Sequence, residues 1–109
     1  MGLPIYVALE PVDMRMGYER LGGMVRERKL EPSARALFVF VGKRGHTMKI
    51  LTRDGSGDVL ISKRLDFGRF ELPVATSHAQ QHVMVSDALF GAIFGGNGTH
   101  PNKRRRITH

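Results

Sequence analysis

The chain has 109 residues, with 17 lysines and arginines against 10 aspartates and glutamates, and no cysteine. The length leaves room for one domain around one core, and the missing cysteines exclude disulfide frameworks, zinc fingers and thiol nucleophiles and fit a cytoplasmic protein. The formal charge of +7 attracts anions and steers phosphate-bearing partners, although solubility alone is a second use of such a surplus.

Met1–Val7 lacks the charged flank and apolar run of a signal peptide. Pro4–Glu10 (PIYVALE) predicts a first strand closed by Pro11. Asp13 is placed to cap a helix, and Met14, Tyr18, Leu21 and Val25 follow at helical spacing. Arg15, Arg20, Arg26, Arg28 and Lys29 lie mostly off that face. Gly22 and Gly23 weaken the helix, and Pro32 ends the segment. Leu37–Val41 (LFVFV) is apolar throughout, the signature of a buried central strand. Met48–Arg53 alternates, with Met48, Ile50 and Thr52 on one side and Lys49, Leu51 and Arg53 on the other. Asp54–Gly57 (DGSG) predicts a hairpin turn and Val59–Arg64 its returning strand. Gly68 allows a bend, and Phe70–Leu72 predicts a last short strand before Pro73. Ser77–Phe94 has helical character. Thr99–His109 is a polar tail, expected to be mobile, that carries the run Lys103–Arg106.

The expected fold class is α+β. A small, mostly antiparallel sheet, made of the N-terminal strand plus a three-stranded meander, packs against one main helix, with a C-terminal helix and a basic tail beyond it. The expected divisions are an α+β core domain at 1–76, a helical segment at 77–95 and a flexible basic tail at 96–109. The longest apolar stretch, Ala88–Phe94, is too short to span a bilayer.

The chemistry-bearing feature is the basic set of the meander: Lys43, Arg44, Lys49, Arg53, Lys63, Arg64 and Arg69, against only Asp54, Asp58 and Asp66. Lys49 and Arg53 share a strand face, and the hairpin brings Lys63 or Arg64 near them. Such a ribbon can follow a phosphate backbone or enter a major groove. An exposed sheet edge guarded by lysine and arginine gives the same pattern. The Lys103–Arg106 run adds sequence-independent affinity for nucleic acid or is simply solvated. Asp13 reads as a cap and Asp54 and Asp58 as turn residues, so the aspartates do not make an acid triad. His78 and His82 have ligand spacing on a helix, but HAQQH lacks the glutamate of a zinc-hydrolase helix. Gly42–Gly45 (GKRG) lacks the span and the Lys-Ser/Thr ending of a phosphate loop. No motif implies a cofactor or a metal.

Six short pieces then occur in order: Pro11–Leu21 (PVDMRMGYERL), Leu37–Phe40 (LFVF), Gly42–Gly45 (GKRG), Lys49–Leu51 (KIL), Asp54–Gly57 (DGSG) and Lys63–Pro73 (KRLDFGRFELP). Together, over roughly Ile5–Pro73, the chain resembles the TnpB accessory proteins encoded by the second open reading frame of the bacterial insertion-sequence family sixty-six. The resemblance implies a small protein made beside a separate, larger transposase that carries the catalytic acids. It implies a role in transposition and association with DNA, and it supplies no active site. Within its motifs, Arg15, Lys63, Arg64 and Arg69 are the residues without an evident structural purpose, and Lys43, Arg44 and Lys49 also lie inside it. The chain departs from the family pattern at Thr52, Arg53, Ser62 and Leu72, where aromatic residues are usual, and it has no tryptophan.

Three function classes follow. The first is a non-catalytic DNA-binding accessory factor of transposition that uses Arg15, Lys43, Arg44, Lys49, Arg53, Lys63, Arg64 and Arg69. The second is a protein–protein adaptor that docks on the transposase through the Leu37–Val41 surroundings or Val83–Phe94. The third is a small basic ribonuclease built on His46, Lys49 and Arg53.

Overall fold

The computed structural model describes residues 2–32, 34–75, 77 and 80–96. The strands are β1 (Ile5–Ala8), β2 (Leu37–Val41), β3 (Thr47–Arg53), β4 (Asp58–Arg64) and β5 (His82–Val85). The helices are α1 (Tyr18–Glu27) and α2 (Asp87–Gly95). The strands form one mixed sheet in the order β4-β3-β2-β1-β5. β1 and β2 are parallel and joined by α1, while every other neighbouring pair is antiparallel.

β2 lies at the centre of the sheet because it has an apolar side chain for each face. Phe38 and Phe40 join Leu21 and Val25 of α1, with Leu51, in one buried cluster. Val39 and Val41 join Met48, Ile50, Phe70 and Ile93 of α2 in the other. A strand covered on both faces needs no polar side, which is why LFVFV reads as a continuous apolar run.

Two helix boundaries differ from the sequence expectation. α1 begins at Tyr18 behind Gly17, and no described side chain caps it. Asp13 lies too early to be the cap. Its carboxylate instead accepts the main-chain N–H of Arg15 at 2.9 Å, a local turn that competes with helix initiation. α1 also ends before Pro32. Lys29 adopts a left-handed conformation (φ 62°), the N–H of Leu30 donates to the Val25 carbonyl, and that of Lys29 donates to Arg26. This pair of bonds closes the helix, usually around a glycine.

The C-terminal third also departs from the single helical segment expected over Ser77–Phe94. His82–Val85 is a strand that pairs with the open edge of β1, so the described residues form a five-stranded sheet. Pairing with that edge outweighs the local helical tendency of this short apolar run. α2 follows, capped by Ser86, whose hydroxyl accepts the Leu89 N–H at 3.1 Å. His82 therefore does not share a helix face with His78, which lies outside the described residues. No strand forms at Phe70–Leu72. The Phe70 N–H donates to the Gly45 carbonyl at 2.8 Å, and the Phe70 ring is buried beneath the second face. The tail with Lys103–Arg106 also lies outside the described residues. No described helix is long and apolar enough to cross a membrane.

Candidate functional site

The β3–β4 hairpin decides where the basic residues go. Its register sets Thr47 opposite Arg64, Met48 opposite Lys63 and Arg53 opposite Asp58. Adjacent residues on a strand point to opposite faces. Arg64 therefore shares the α1 face with Lys49 and Arg53, and Lys63 faces α2.

Lys49, Lys63 and Arg53, three of the eight sequence candidates, are bonded to groups away from the turn between β2 and β3. The Lys49 ammonium donates to the Met16 carbonyl at 3.0 Å, just ahead of α1. The Lys63 ammonium donates to the Phe94 carbonyl at 2.7 Å and lies 3.9 Å from the centre of the Phe94 ring. It fastens the C-terminal end of α2, where cations are favoured. Arg53 pairs with Asp58 across the hairpin at 2.8 Å.

Four others converge at the opposite end of the ribbon. Arg15, Lys43, Arg44 and Arg64 line one cleft of about 490 Å³, together with Asp13, His46 and Thr47. Arg69 lines a neighbouring recess of about 300 Å³ on the other side of the Gly42–Gly45 turn, and Lys43 and Arg44 line both hollows. Lys43, Arg44, Arg64 and Arg69 make no ion pair with another described residue.

The walls of the cleft are held by main-chain bonds. The Val12 N–H donates to Val41, that of Gly42 to Thr47, and that of Gly45 to Gly42. The GKRG spacing matters here for close approach. A Cβ on Gly42 would stand 2.6 Å from Cγ of Met14, and Gly45 has a φ of 78° beside Arg69. Both glycines let the Val12–Arg15 segment and the Arg69 side chain close on the turn. His46 Nδ1 lies 3.0 Å from the Gly68 carbonyl. A carbonyl only accepts, so Nδ1 carries the proton, and the bond fixes the ring.

Asp13 is the one carboxylate among the described residues that line the cleft. The Arg15 guanidinium donates to both of its oxygens, at 2.7 Å for the shortest bond. These side-chain bonds and the Arg15 main-chain N–H hold the Asp13 carboxyl well below the usual carboxylate range. Arg15 is nevertheless 89% exposed, so its outer face remains open to a ligand. Helical spacing alone places Asp13 as a cap and does not show this pair. The Asp-x-Arg spacing was the signal, since an aspartate commonly bonds the N–H two residues on.

The ribonuclease set does not converge. His46 lines the basic cleft, Lys49 is bonded to Met16, and Arg53 stands at the far end of β3, roughly 20 Å from His46 at the rise of an extended strand. Among the described residues no group of three or more histidines, aspartates or glutamates is placed to hold a metal ion.

No solved structure matches the chain. The uncharacterized protein y4hO of Sinorhizobium fredii is 37% identical over 106 residues, covering 95% of this chain and 90% of that protein. The uncharacterized protein y4jC of the same organism is 40% identical over 73 residues, covering 66% of this chain and 62% of that protein. The family model described as IS66 Orf2 like protein matches residues 3–104. The match runs from ahead of β1 to beyond α2 and takes in every element of the sheet, so the chain belongs to the IS66 Orf2-like family, the accessory proteins of IS66 insertion elements.

Proposed function

We propose that the chain is a non-catalytic accessory factor of transposition that binds DNA directly through the basic end of its sheet and assists a separate transposase. The observation that carries this reading is the gathering of Arg15, Lys43, Arg44 and Arg64 around one cleft with a single carboxylate among its lining residues. Such a surface attracts phosphates and gains affinity by releasing their counterions. Family membership supplies the biological setting, and the unpaired cations of the cleft support a direct contact.

The test is binding of the full chain to duplex DNA bearing the element's ends, measured across salt. Three to four phosphate contacts give a log–log slope of about −3. Replacing Arg44 and Arg64 by alanine flattens that slope. No binding to duplex or to single-stranded DNA at low salt ends the direct-contact reading.

A second reading concerns the transposase itself. The outer side of α2 exposes Ala88, Leu89, Gly91 and Ala92, with Leu89 45% accessible. An exposed apolar helix side is suited to a protein contact. Co-purification with the transposase that is lost on Leu89→Glu, with DNA affinity kept, is the result this reading requires.

A further inference from the structure

We propose that the basic cleft receives an unpaired, nucleotide-sized segment of a DNA strand in preference to uninterrupted duplex. This rests on the DNA reading above and narrows its ligand.

A duplex is read by an element that projects into a groove or along it. The elements that would do so here are not equipped for it. The β3–β4 ribbon sends Lys49 and Lys63 to opposite faces, and each is bonded to a main-chain carbonyl. The exposed side of α1 mixes Arg20 and Arg26 with Glu19 and Glu27. The available cations instead line a concavity. Its volume of about 490 Å³ falls in the range of about 300–1,000 Å³ that holds small organic ligands. A nucleotide is a ligand of that size, and a base pair within a stack cannot enter such a hollow unless it is taken apart.

The cleft and the recess beside it share the Gly42–Gly45 turn, with Lys43 and Arg44 between them. Arg15 and Arg64 lie on one side of the turn, and Arg69 and the buried Phe70 on the other. A flexible strand can cross the turn with its phosphates on Lys43 and Arg44 and place a nucleotide in each hollow. Single-strand binders combine positive tracks with surfaces for splayed bases in this way. Guanidinium planes and the fixed His46 ring offer such surfaces here in place of the missing tryptophan.

Main-chain bonds join Val12 to Val41, Gly42 to Thr47 and Gly45 to Phe70, so the hollow exists before the ligand arrives. A preformed site loses little freedom on binding.

Fluorescence anisotropy of the full chain tests the proposal with three labelled probes: a blunt duplex, the same duplex with a short unpaired overhang, and the single strand alone. The overhang and the single strand are expected to bind about tenfold more tightly than the blunt duplex at matched salt. Arg44→Ala with Arg64→Ala removes that gap, and Arg15→Ala narrows it. All three side chains are exposed, and circular dichroism checks that the variants keep their fold. Excess free mononucleotide is expected to compete with the single strand for the cleft. Equal affinity for all three probes overturns the proposal and leaves the DNA reading standing. No binding to any probe removes both.

Discussion

The two ends of the β3–β4 ribbon carry hollows of similar size, about 490 Å³ and about 430 Å³, on the same face of the sheet. Their charge differs. At the turn end Arg15, Lys43, Arg44 and Arg64 face one carboxylate, Asp13. At the hairpin end Arg26 and Arg53 face Glu19, Glu31 and Asp58. Arg53 is held by Asp58 there, whereas Lys43, Arg44 and Arg64 have no ion-pair partner among the described residues. The comparison shows that a net charge of +7 is a poor guide until the pairs are subtracted. One basic strand ribbon becomes one neutralised end and one end with cations to spare.

The largest effect expected from this difference is on DNA affinity. Replacing Lys43, Arg44 and Arg64 together by alanine lowers it about a hundredfold at low salt, about 2.7 kcal/mol. The matched change at the other end, Arg26→Ala with Arg53→Ala, changes it less than about threefold. Equal losses from the two sets would erase the distinction.

Stability separates the ends next. Gly42→Ala forces a Cβ to 2.6 Å from Met14, and overpacking of this kind costs about 1–3 kcal/mol. Gly57→Ala at the hairpin end meets nothing within 4 Å and leaves Tm nearly unchanged. Thermal melts of the two variants measure this directly.

A third variant tests the division of labour among the lysines. Lys63→Ala removes the bond to the Phe94 carbonyl and the ring contact, at a cost of about 1 kcal/mol. It faces away from the cleft, so the variant melts earlier and binds DNA as the unaltered chain does. A drop in affinity with no change in Tm would return Lys63 to the interface.

The smallest expected effect concerns Asp13. Asp13→Asn takes the one negative charge out of the cleft and frees Arg15, so DNA affinity rises about threefold, with a larger gain at low salt. Titrations at two salt concentrations read the change.

Much of this fold was legible in the sequence. LFVFV needs two apolar faces, and only a central strand with a helix or loop on each side supplies them. DGSG was equally clear. The Asp54 carboxylate accepts the N–H groups of Ser56 and Gly57, a purely local arrangement that local composition reveals. β5 was not legible, because a four-residue strand is stabilised by the edge it joins, and that edge belongs to β1, far away in sequence. The end of α1 was hidden for a different reason. Lys29 stands where a glycine is usual, and Leu30 makes the closing contact with the core.

The site was half legible. All eight basic residues were visible in the sequence, and so was the alternation that puts Lys49 and Arg53 on one face. What pattern alone did not show is which charges are already taken. Lys49 and Lys63 are bonded to carbonyls of Met16 and Phe94, residues about thirty positions away along the chain. The cleft itself depends on Val12 meeting Gly42 in an isolated parallel bridge, which no local motif announces.

The most direct test of the central claim, that the turn end rather than the hairpin end meets DNA, is a two-dimensional amide NMR titration of the labelled full chain with a short oligonucleotide. Shifts are expected to concentrate at Val12–Arg15, Gly42–Thr47 and Arg64–Arg69, with Tyr18–Arg26 and Arg53–Asp58 unmoved. Shifts centred on Tyr18–Arg26 and Arg53–Asp58, or none at low salt, would contradict it.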